Sequence, residues 1–343
     1  MKFVIDKSIP FIEGVFEPYA SVLYREGPEI SGSDLKDADA LIIRTRTKCD
    51  EKLLAGSSVK IIATATSGTD NIDNEYCKKH GIFVQNASGC NSGGVANYVF
   101  SALYGAAARK SINLSGATIG IIGLGNAGER VESMARSLGF KIMRHDPRKA
   151  RIEWYTQFCS LDKLLKDSDI VTLHVPLNES TRGMANADFF AKMKPGAFFI
   201  NTAQGDIVAE NDLIAAIPKL GPVIIDTWSH EPTINTRLMN LADIATPHIA
   251  GYSLQSKQTG SAMAVRAVAR FFKLGSLYEF FPQTEIMEYQ AVKLDVTDKS
   301  QGQIAAMLQY NYPIFTDDFM FRMNPTKFEE LRMNYQYRRE FFI

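Results

Sequence analysis

Short β-branched runs alternate with helical segments in two separate series, and this constrains the chain more than any other feature. The first series reads "KFVID", "ALIIRT", "KIIATA" and "IFVQNA", with helical stretches such as "NEYCKKHG" between some of them. The second reads "ATIGIIGLG", "FKIMRHD", "SDIVTLHVP", "GAFFINTA", "GPVIIDTW" and "ADIATPHIAG". Strands so short and apolar are buried on both faces, which a parallel sheet flanked by helices provides. The expected fold class is α/β, with two doubly wound parallel-sheet domains.

A nearly apolar helix, about Gly94 to Ala108, interrupts the rhythm, and another follows from about Leu254 to Leu274. The second series therefore reads as an insertion. Residues 94–253 form one domain, and 1–93 join 254–282 in the other. After Pro282 the chain changes character. "YQAVKLDVT" predicts a strand; "QGQIAAMLQYNY" and "PTKFEELRMNYQYRREFF" predict helices. The last places Phe328, Leu331 and Tyr335 at i, i+3, i+7. Residues 283–343 are expected to form a small α+β lobe. Alone it would bury little core, so packing on a partner subunit as a homodimerisation lobe is expected.

Lys plus Arg equals Asp plus Glu, 38 each, so no basic field points to nucleic acid or an anionic membrane. The stretch "GGVANYVFSALYGAAA" falls short of the ~20 residues that span a bilayer. The start "MKFVIDKSIPF" is too polar for a signal peptide. Cys49, Cys77, Cys90 and Cys159 form no C-x-x-C pair and no zinc spacing. No metal site is expected, and the thiols read as those of a cytoplasmic protein.

"GIIGLGNAG" holds Gly123, Gly125 and Gly128 in G-x-G-x-x-G order, after a strand-like run and before the helical pattern "NAGERVESMARSLG". That context is what a dinucleotide site requires. Gly123 permits the tight turn, Gly125 lets backbone N–H groups approach a pyrophosphate, and Gly128 allows helix and strand to pack closely. The helix N-terminus adds partial positive charge. The next strand ends at Asp146, where a carboxylate binds the ribose hydroxyls and repels a 2′-phosphate, favouring NAD over NADP. Arg144, Arg148 and Lys149 lie nearby and pull the other way.

Three later strand ends carry polar residues: Gln204 in "NTAQGD", Asp226, His230 and Glu231 in "DTWSHEP", and His248 in "PHIAGYS". Ligands of open parallel sheets bind outside the carboxyl ends of the strands, so these residues are candidates for chemistry.

With these residues in order, the chain resembles the D-isomer-specific 2-hydroxyacid dehydrogenases. The glycine turn, "DTWSHEP" and "TPHIAG" carry the general resemblance. A narrower one, to the branch that acts on 4-phosphoerythronate in pyridoxal phosphate biosynthesis, rests on "RTRTK" (44–48), "TATSGTDNID" (64–73), "SGCN" (88–91), "TPHIAGYS" (246–253) and "FEELRMNYQYRRE" (328–340). The resemblance implies a Rossmann-type NAD domain inserted in a flavodoxin-like substrate domain. It implies NAD as cofactor and a small phosphorylated hydroxy acid as substrate. His248 matches the acid/base histidine and Glu231 its carboxylate partner, while the motif gives His230 no role. Asn126, Ala127, Val175, Asp226 and Gly251 join the glycines and Asp146 along the cofactor. Arg44, Thr45, Thr66 and Tyr252 are implied substrate contacts, in a cleft whose closure between lobes is expected. Arg338 or Arg339 of a partner subunit are further candidates for the substrate phosphate.

Gln204 departs from the pattern. The family has an arginine there, which holds the substrate carboxylate through a charged planar fork. Glutamine keeps a donor and loses the charge, at a cost on the order of 10- to 100-fold. Asn97 stands where an acidic residue is common, and Val175 where relatives often carry a small hydroxyl residue. The expectation is a preserved NAD site with impaired or altered hydride transfer. The alternatives are a dehydrogenase for another small 2-hydroxy acid and a catalytically silent NAD-binding dimer.

Overall fold

The structure, a computed structural model, describes residues 1–152, 157–283 and 290–343. It divides into two compact units, Met1–Asn91 with Leu254–Gln290, and Ser92–Ser253 with Ala291–Ile343. Residues 284–289, at the start of the expected C-terminal lobe, lie outside the described residues.

The first unit holds strands β1 (Lys2–Asp6), β2 (Ser21–Arg25), β3 (Ala40–Ile43), β4 (Ile61–Thr64) and β5 (Phe83–Asn86), in the order β2-β1-β3-β4-β5. This is the flavodoxin-like order. Every pairing is parallel. The interior strands β3 and β4, "ALII" and "IIAT", are buried at all positions. Strand β2, "SVLYR", was not among the expected strands. It lies at the sheet edge and none of its residues is fully buried, so it lacks the apolar run that marks its neighbours. The helix Leu254–Phe272 covers one face, where Val265, Val268 and Ala269 meet Phe3, Ile5 and Ile42.

The second unit holds β6 (Thr118–Ile122), β7 (Lys141–His145), β8 (Ile170–Leu173), β9 (Phe198–Asn201), β10 (Val223–Ile225) and β11 (Ile244–Ala245). They form a parallel sheet in the order β11-β10-β9-β8-β6-β7. Chain order reverses between β6 and β8, which opens a crevice at the carboxyl ends of those strands. The helix Ser92–Arg109 is buried over most of its length. Its small residues let other helices come close: a Cβ on Gly105 would lie 3.0 Å from Gln309 Nε2.

The C-terminal segment is built into this second unit. Helix Gln301–Asn311 packs on the helix Ser92–Arg109, and Gln309 Nε2 donates to Ser101 O at 2.7 Å. Helix Ile314–Met323 closes the β11 edge, where Asp318 Oδ1 accepts from Ala245 N at 2.7 Å. The long helix expected over "PTKFEELRMNYQYRREFF" is corrected. Only Phe328–Met333 is α-helical, and the chain then runs on to β13 (Phe341–Phe342), which pairs with β12 (Val292–Lys293). Long-range partners of residues 335–341, described below, outweigh the local periodicity.

Candidate active site

All six parallel strands of the second unit end at the same sheet edge, and the polar residues singled out above follow directly from them. The glycine turn follows β6, Asp146 follows β7, and Val175 lies just beyond β8. Gln204, Asp226 with Glu231, and His248 follow β9, β10 and β11.

The glycine turn meets the steric demands of a nucleotide cradle. Gly123 has φ +89°, and a Cβ there would come within 2.8 Å of both the His174 backbone and Val175 Cγ1. A Cβ on Gly128 would overlap the Gly123 carbonyl oxygen at 2.0 Å. Gly125 faces open space, with no atom within 4 Å of its Cβ position, and caps the helix Asn126–Ser137. Asn126 and Ala127 thus begin the helix that points its N–H groups at the turn. Asp146 Oδ2 accepts from Leu124 N inside the turn at 2.9 Å, and its Oδ1 accepts from Arg148 N and Lys149 N. Two of the basic side chains that argued for a 2′-phosphate are engaged elsewhere. Arg144 makes a bidentate pair with Glu132 at 2.6 and 3.0 Å, and Lys149 pairs with Glu129. The donor set fits NAD, the cofactor that the resemblance implies.

The acid–base pair is formed. His248 Nδ1 lies 2.8 Å from Glu231 Oε2, and Glu231 Oε1 accepts from Trp228 N at 2.9 Å. An ionised carboxylate only accepts, so Nδ1 carries the proton and Nε2 is left as the proton-accepting nitrogen. Burial pushes the Glu231 carboxyl up, but the charge and hydrogen bond of His248, the Trp228 N–H and the charge of Arg332 hold it below its usual range. Glu210 Oε1 accepts from Ser229 N at 2.9 Å and steadies the same loop.

His248 adopts φ +56°, a left-handed conformation that costs a non-glycine residue about 1–3 kcal/mol and needs surrounding support. Asp226 supplies it. Its backbone oxygen accepts from His248 N at 2.7 Å. Its wholly buried carboxylate accepts from Thr246 Oγ1, Ile249 N and Ala250 N at 2.7–2.9 Å. Burial raises this carboxyl above its ordinary range. The structure thus gives Asp226 a second task, holding the His248 turn, besides the cofactor contact expected from sequence.

Gln204 sits in an intact turn. Asn201 Oδ1 accepts from Ala203 N at 3.1 Å, and Asn201 Nδ2 donates to Gln204 O at 3.2 Å. Gly205 leaves no room for a side chain: a Cβ would fall 1.9 Å from Trp228 C. The turn therefore lies directly against the loop that carries Glu231.

Tyr252 and Gly251 continue the His248 turn, and the C-terminal segment reaches them. The Tyr252 ring lies 6.0 Å from Tyr335 and 5.9 Å from the Arg332 guanidinium. Arg338 holds the turn from behind. Its Nη1 donates to Ile249 O and Tyr252 O, and its Nη2 to Ala250 O and Gly94 O, at 2.5–3.2 Å. The group is stacked 3.9 Å from the Tyr312 ring centroid. This corrects the expectation that Arg338 of a partner subunit meets substrate phosphate, because the side chain is committed inside its own subunit. Glu210 and Arg332 were not assigned to this site from sequence, and Arg338 was assigned to it only from a partner subunit. The motif at 328–340 carries the resemblance but does not say which of its residues reach the His248 turn.

In the first unit, Arg44, Thr45 and Thr66 lie just beyond the carboxyl ends of the paired strands β3 and β4. Thr45 is exposed, and Thr66 Oγ1 lies 2.7 Å from Thr64 Oγ1. Arg44 Nη1 donates to Ser8 O at 2.9 Å, and Lys48 pairs with Asp50 at 3.1 Å.

Residues 98–250 match the family described as D-isomer specific 2-hydroxyacid dehydrogenase, NAD binding domain. The chain is 40% identical to an erythronate-4-phosphate dehydrogenase of Bacteroides fragilis, over 99% of this chain and 97% of that one. It is 35% identical to the enzyme of that name from Escherichia coli O157:H7, over 99% and 92%. Among solved structures it is similar to an NAD-bound 3-phosphoglycerate dehydrogenase of Entamoeba histolytica. The TM-score is 0.69 at 29% identity, covering 83% of this chain and 99% of that one. It is also similar to a D-lactate dehydrogenase of Aquifex aeolicus with NAD and lactic acid, with a TM-score of 0.64 at 26% identity, covering 82% and 98%. On full-length likeness of this degree, the chain belongs to the D-isomer specific 2-hydroxyacid dehydrogenase family.

Proposed function

We propose that the protein oxidises the C2 hydroxyl of 4-phosphoerythronate to the 2-oxo acid, 3-hydroxy-2-oxo-4-phosphobutanoate, in pyridoxal phosphate biosynthesis. The observation that carries the reading is the His248–Glu231 pair at 2.8 Å, on the sheet edge that also bears the glycine turn. The full-length relatives named for that substrate support it. When bound, NAD supplies the hydride acceptor. His248 Nε2 takes the hydroxyl proton, Glu231 steadies the resulting imidazolium, and Asp226 keeps the histidine turn in place. Gly123, Gly125, Gly128, Asn126, Ala127 and Asp146 hold the dinucleotide, with Val175 and Gly251 beside it. Tyr252 contacts substrate, as do Arg44, Thr45 and Thr66 of the first unit.

The test is NADH formation from 4-phosphoerythronate by the chain as it stands and by Gln204→Arg. Robust turnover by the unaltered chain defeats the catalytically silent alternative. No turnover by either defeats the assigned substrate. Equal turnover of unphosphorylated erythronate favours another small 2-hydroxy acid.

The protein works as a cytoplasmic homodimer joined through its C-terminal segment. Three apolar residues of the helix Ile314–Met323 are exposed, Phe319 at 60%, Met320 at 46% and Met323 at 63%, which supports this reading. A monomer in sedimentation at micromolar concentration defeats it. The four cysteines are free thiols, which accords with a reducing compartment. No described helix is long and apolar enough to cross a membrane.

A further inference from the structure

We propose that Arg332, from the C-terminal helix Phe328–Met333, supplies the substrate-binding charge that Gln204 lacks: its guanidinium binds the carboxylate of the 2-hydroxy acid beside His248. This rests on the function proposed above and assigns it a residue outside the usual motif.

Arg332 is mostly enclosed, with its side chain 13% exposed. Only Nη1 has a hydrogen-bond partner among the described residues, the half-exposed carboxylate of Glu329 at 3.2 Å. Its Nε is buried and has none. Arg338 shares the buried, unpartnered Nε but differs at its Nη atoms. Both are filled by backbone carbonyls, whereas Arg332 Nη2 has no partner among the described residues. A buried guanidinium with unfilled donors is costly unless an anion completes it, and a carboxylate is its planar complement.

The location agrees. Arg332 lies 5.9 Å from the Tyr252 ring, and its charge interacts with the carboxylates of Glu231 and Asp226. Leu331, its neighbour in the helix, packs into the same apolar cluster as Ile207, Val208 and Trp228. Trp228 links the two elements: Gly205 of the Gln204 turn touches its backbone, and its ring lies 5.9 Å from Phe321, which lies 5.8 Å from Phe328 at the start of the Arg332 helix. A cation on that helix can thus serve where the turn carries none.

The experiment titrates oxalate, a planar carboxylate analogue of a 2-oxo acid, into the NADH-saturated full-length protein. It is repeated for Arg332→Lys, Arg332→Met and Gln204→Arg/Arg332→Met. Arg332→Met should weaken oxalate about 10- to 100-fold while NADH affinity stays within about twofold. Arg332→Lys should fall between it and the unaltered protein, since it keeps charge and loses the fork. The double variant should recover most of the loss. With 4-phosphoerythronate, the defect should appear in KM at least as strongly as in kcat. Oxalate affinity that is unchanged in Arg332→Met, or lost in step with NADH affinity and not rescued by Gln204→Arg, overturns the proposal. If Arg332→Met does not fold, unchanged oxalate affinity in Arg332→Lys overturns it. A protein that ignores 4-phosphoerythronate yet binds oxalate through Arg332 sinks the assigned substrate and leaves this assignment standing.

Discussion

The side-chain amide of Asn97 and the backbone of Phe341 exchange two hydrogen bonds. Asn97 Nδ2 donates to Phe341 O at 2.7 Å, and Phe341 N donates to Asn97 Oδ1 at 2.9 Å. The amide behaves as a strand neighbour would, and it joins residues 244 positions apart. A carboxylate at this place could not make the same pair, because it cannot donate to the carbonyl. Asn97→Asp should leave the Phe341 carbonyl unpaired and bury a charge, lowering stability by about 1–3 kcal/mol. Urea unfolding of the second unit's helical signal checks this. An unchanged midpoint would remove the pairing from the account of how the tail is held.

Arg338 makes the second part of the same clasp, with four carbonyl partners from the His248 turn and the helix Ser92–Arg109. Ser253 and Glu340 add a bond at 2.6 Å. Arg338→Met should leave those carbonyls unsatisfied and cost about 3–5 kcal/mol, in the range for removing one side of a buried charged network. Hydrogen exchange at residues 249–253 should rise before the rest of the sheet is affected. Uniform exchange across the unit would mean that the clasp is not specific to the turn.

The sheet and the glycine turn were legible in the sequence because each is written locally. "IIAT", "IVTL" and "FFIN" are apolar at every position, as interior parallel strands must be, and Asp146 follows its strand at the expected place. Position at a strand end marked Gln204, Asp226, His230, Glu231 and His248 alike, and the resemblance, not the position, picked out His248 and Glu231, whose side chains the structure brings to 2.8 Å. The clasp was not legible. Asn97, Arg338 and Glu340 act through partners 86 to 244 residues away, and periodicity contains nothing about such pairings. The aromatic spacing of Phe328, Leu331 and Tyr335 predicted a helix that stops at Met333, because the residues beyond it answer to those distant partners.

His174 offers a test by pH. Its ring is partly enclosed at the sheet's carboxyl edge, Nε2 lies 2.9 Å from Thr172 Oγ1, and loss of water around it pushes its pKa down to about 3 from 6.5. The folded state therefore keeps the ring neutral while the unfolded chain takes up a proton. The stabilisation is whole above pH 6.5 and is lost as pH falls toward 3. Stability should therefore fall progressively as pH drops below 6.5. His174→Gln removes the titration. The stability advantage of the unaltered protein at pH 8 should shrink steadily below pH 6.5, as read from urea midpoints of the two proteins at matched pH. Parallel curves would show that the ring does not titrate between folded and unfolded states.

His248→Asn and Glu231→Gln separate the chemistry from its scaffold. The left-handed φ of +56° at His248 is one that asparagine tolerates better than most residues, so His248→Asn keeps the turn that Asp226 and Arg338 hold. It removes the proton acceptor, and kcat for 4-phosphoerythronate should fall by about 10²- to 10⁴-fold with NADH affinity little changed. Glu231→Gln keeps the Trp228 N–H contact at Oε1, retains the ring and withdraws the negative charge that steadies imidazolium. Its kcat should fall less than that of His248→Asn. The double variant should be no worse than His248→Asn alone, since the carboxylate acts only through the ring it touches. Multiplying losses in the double variant would mean that Glu231 contributes by some route other than His248.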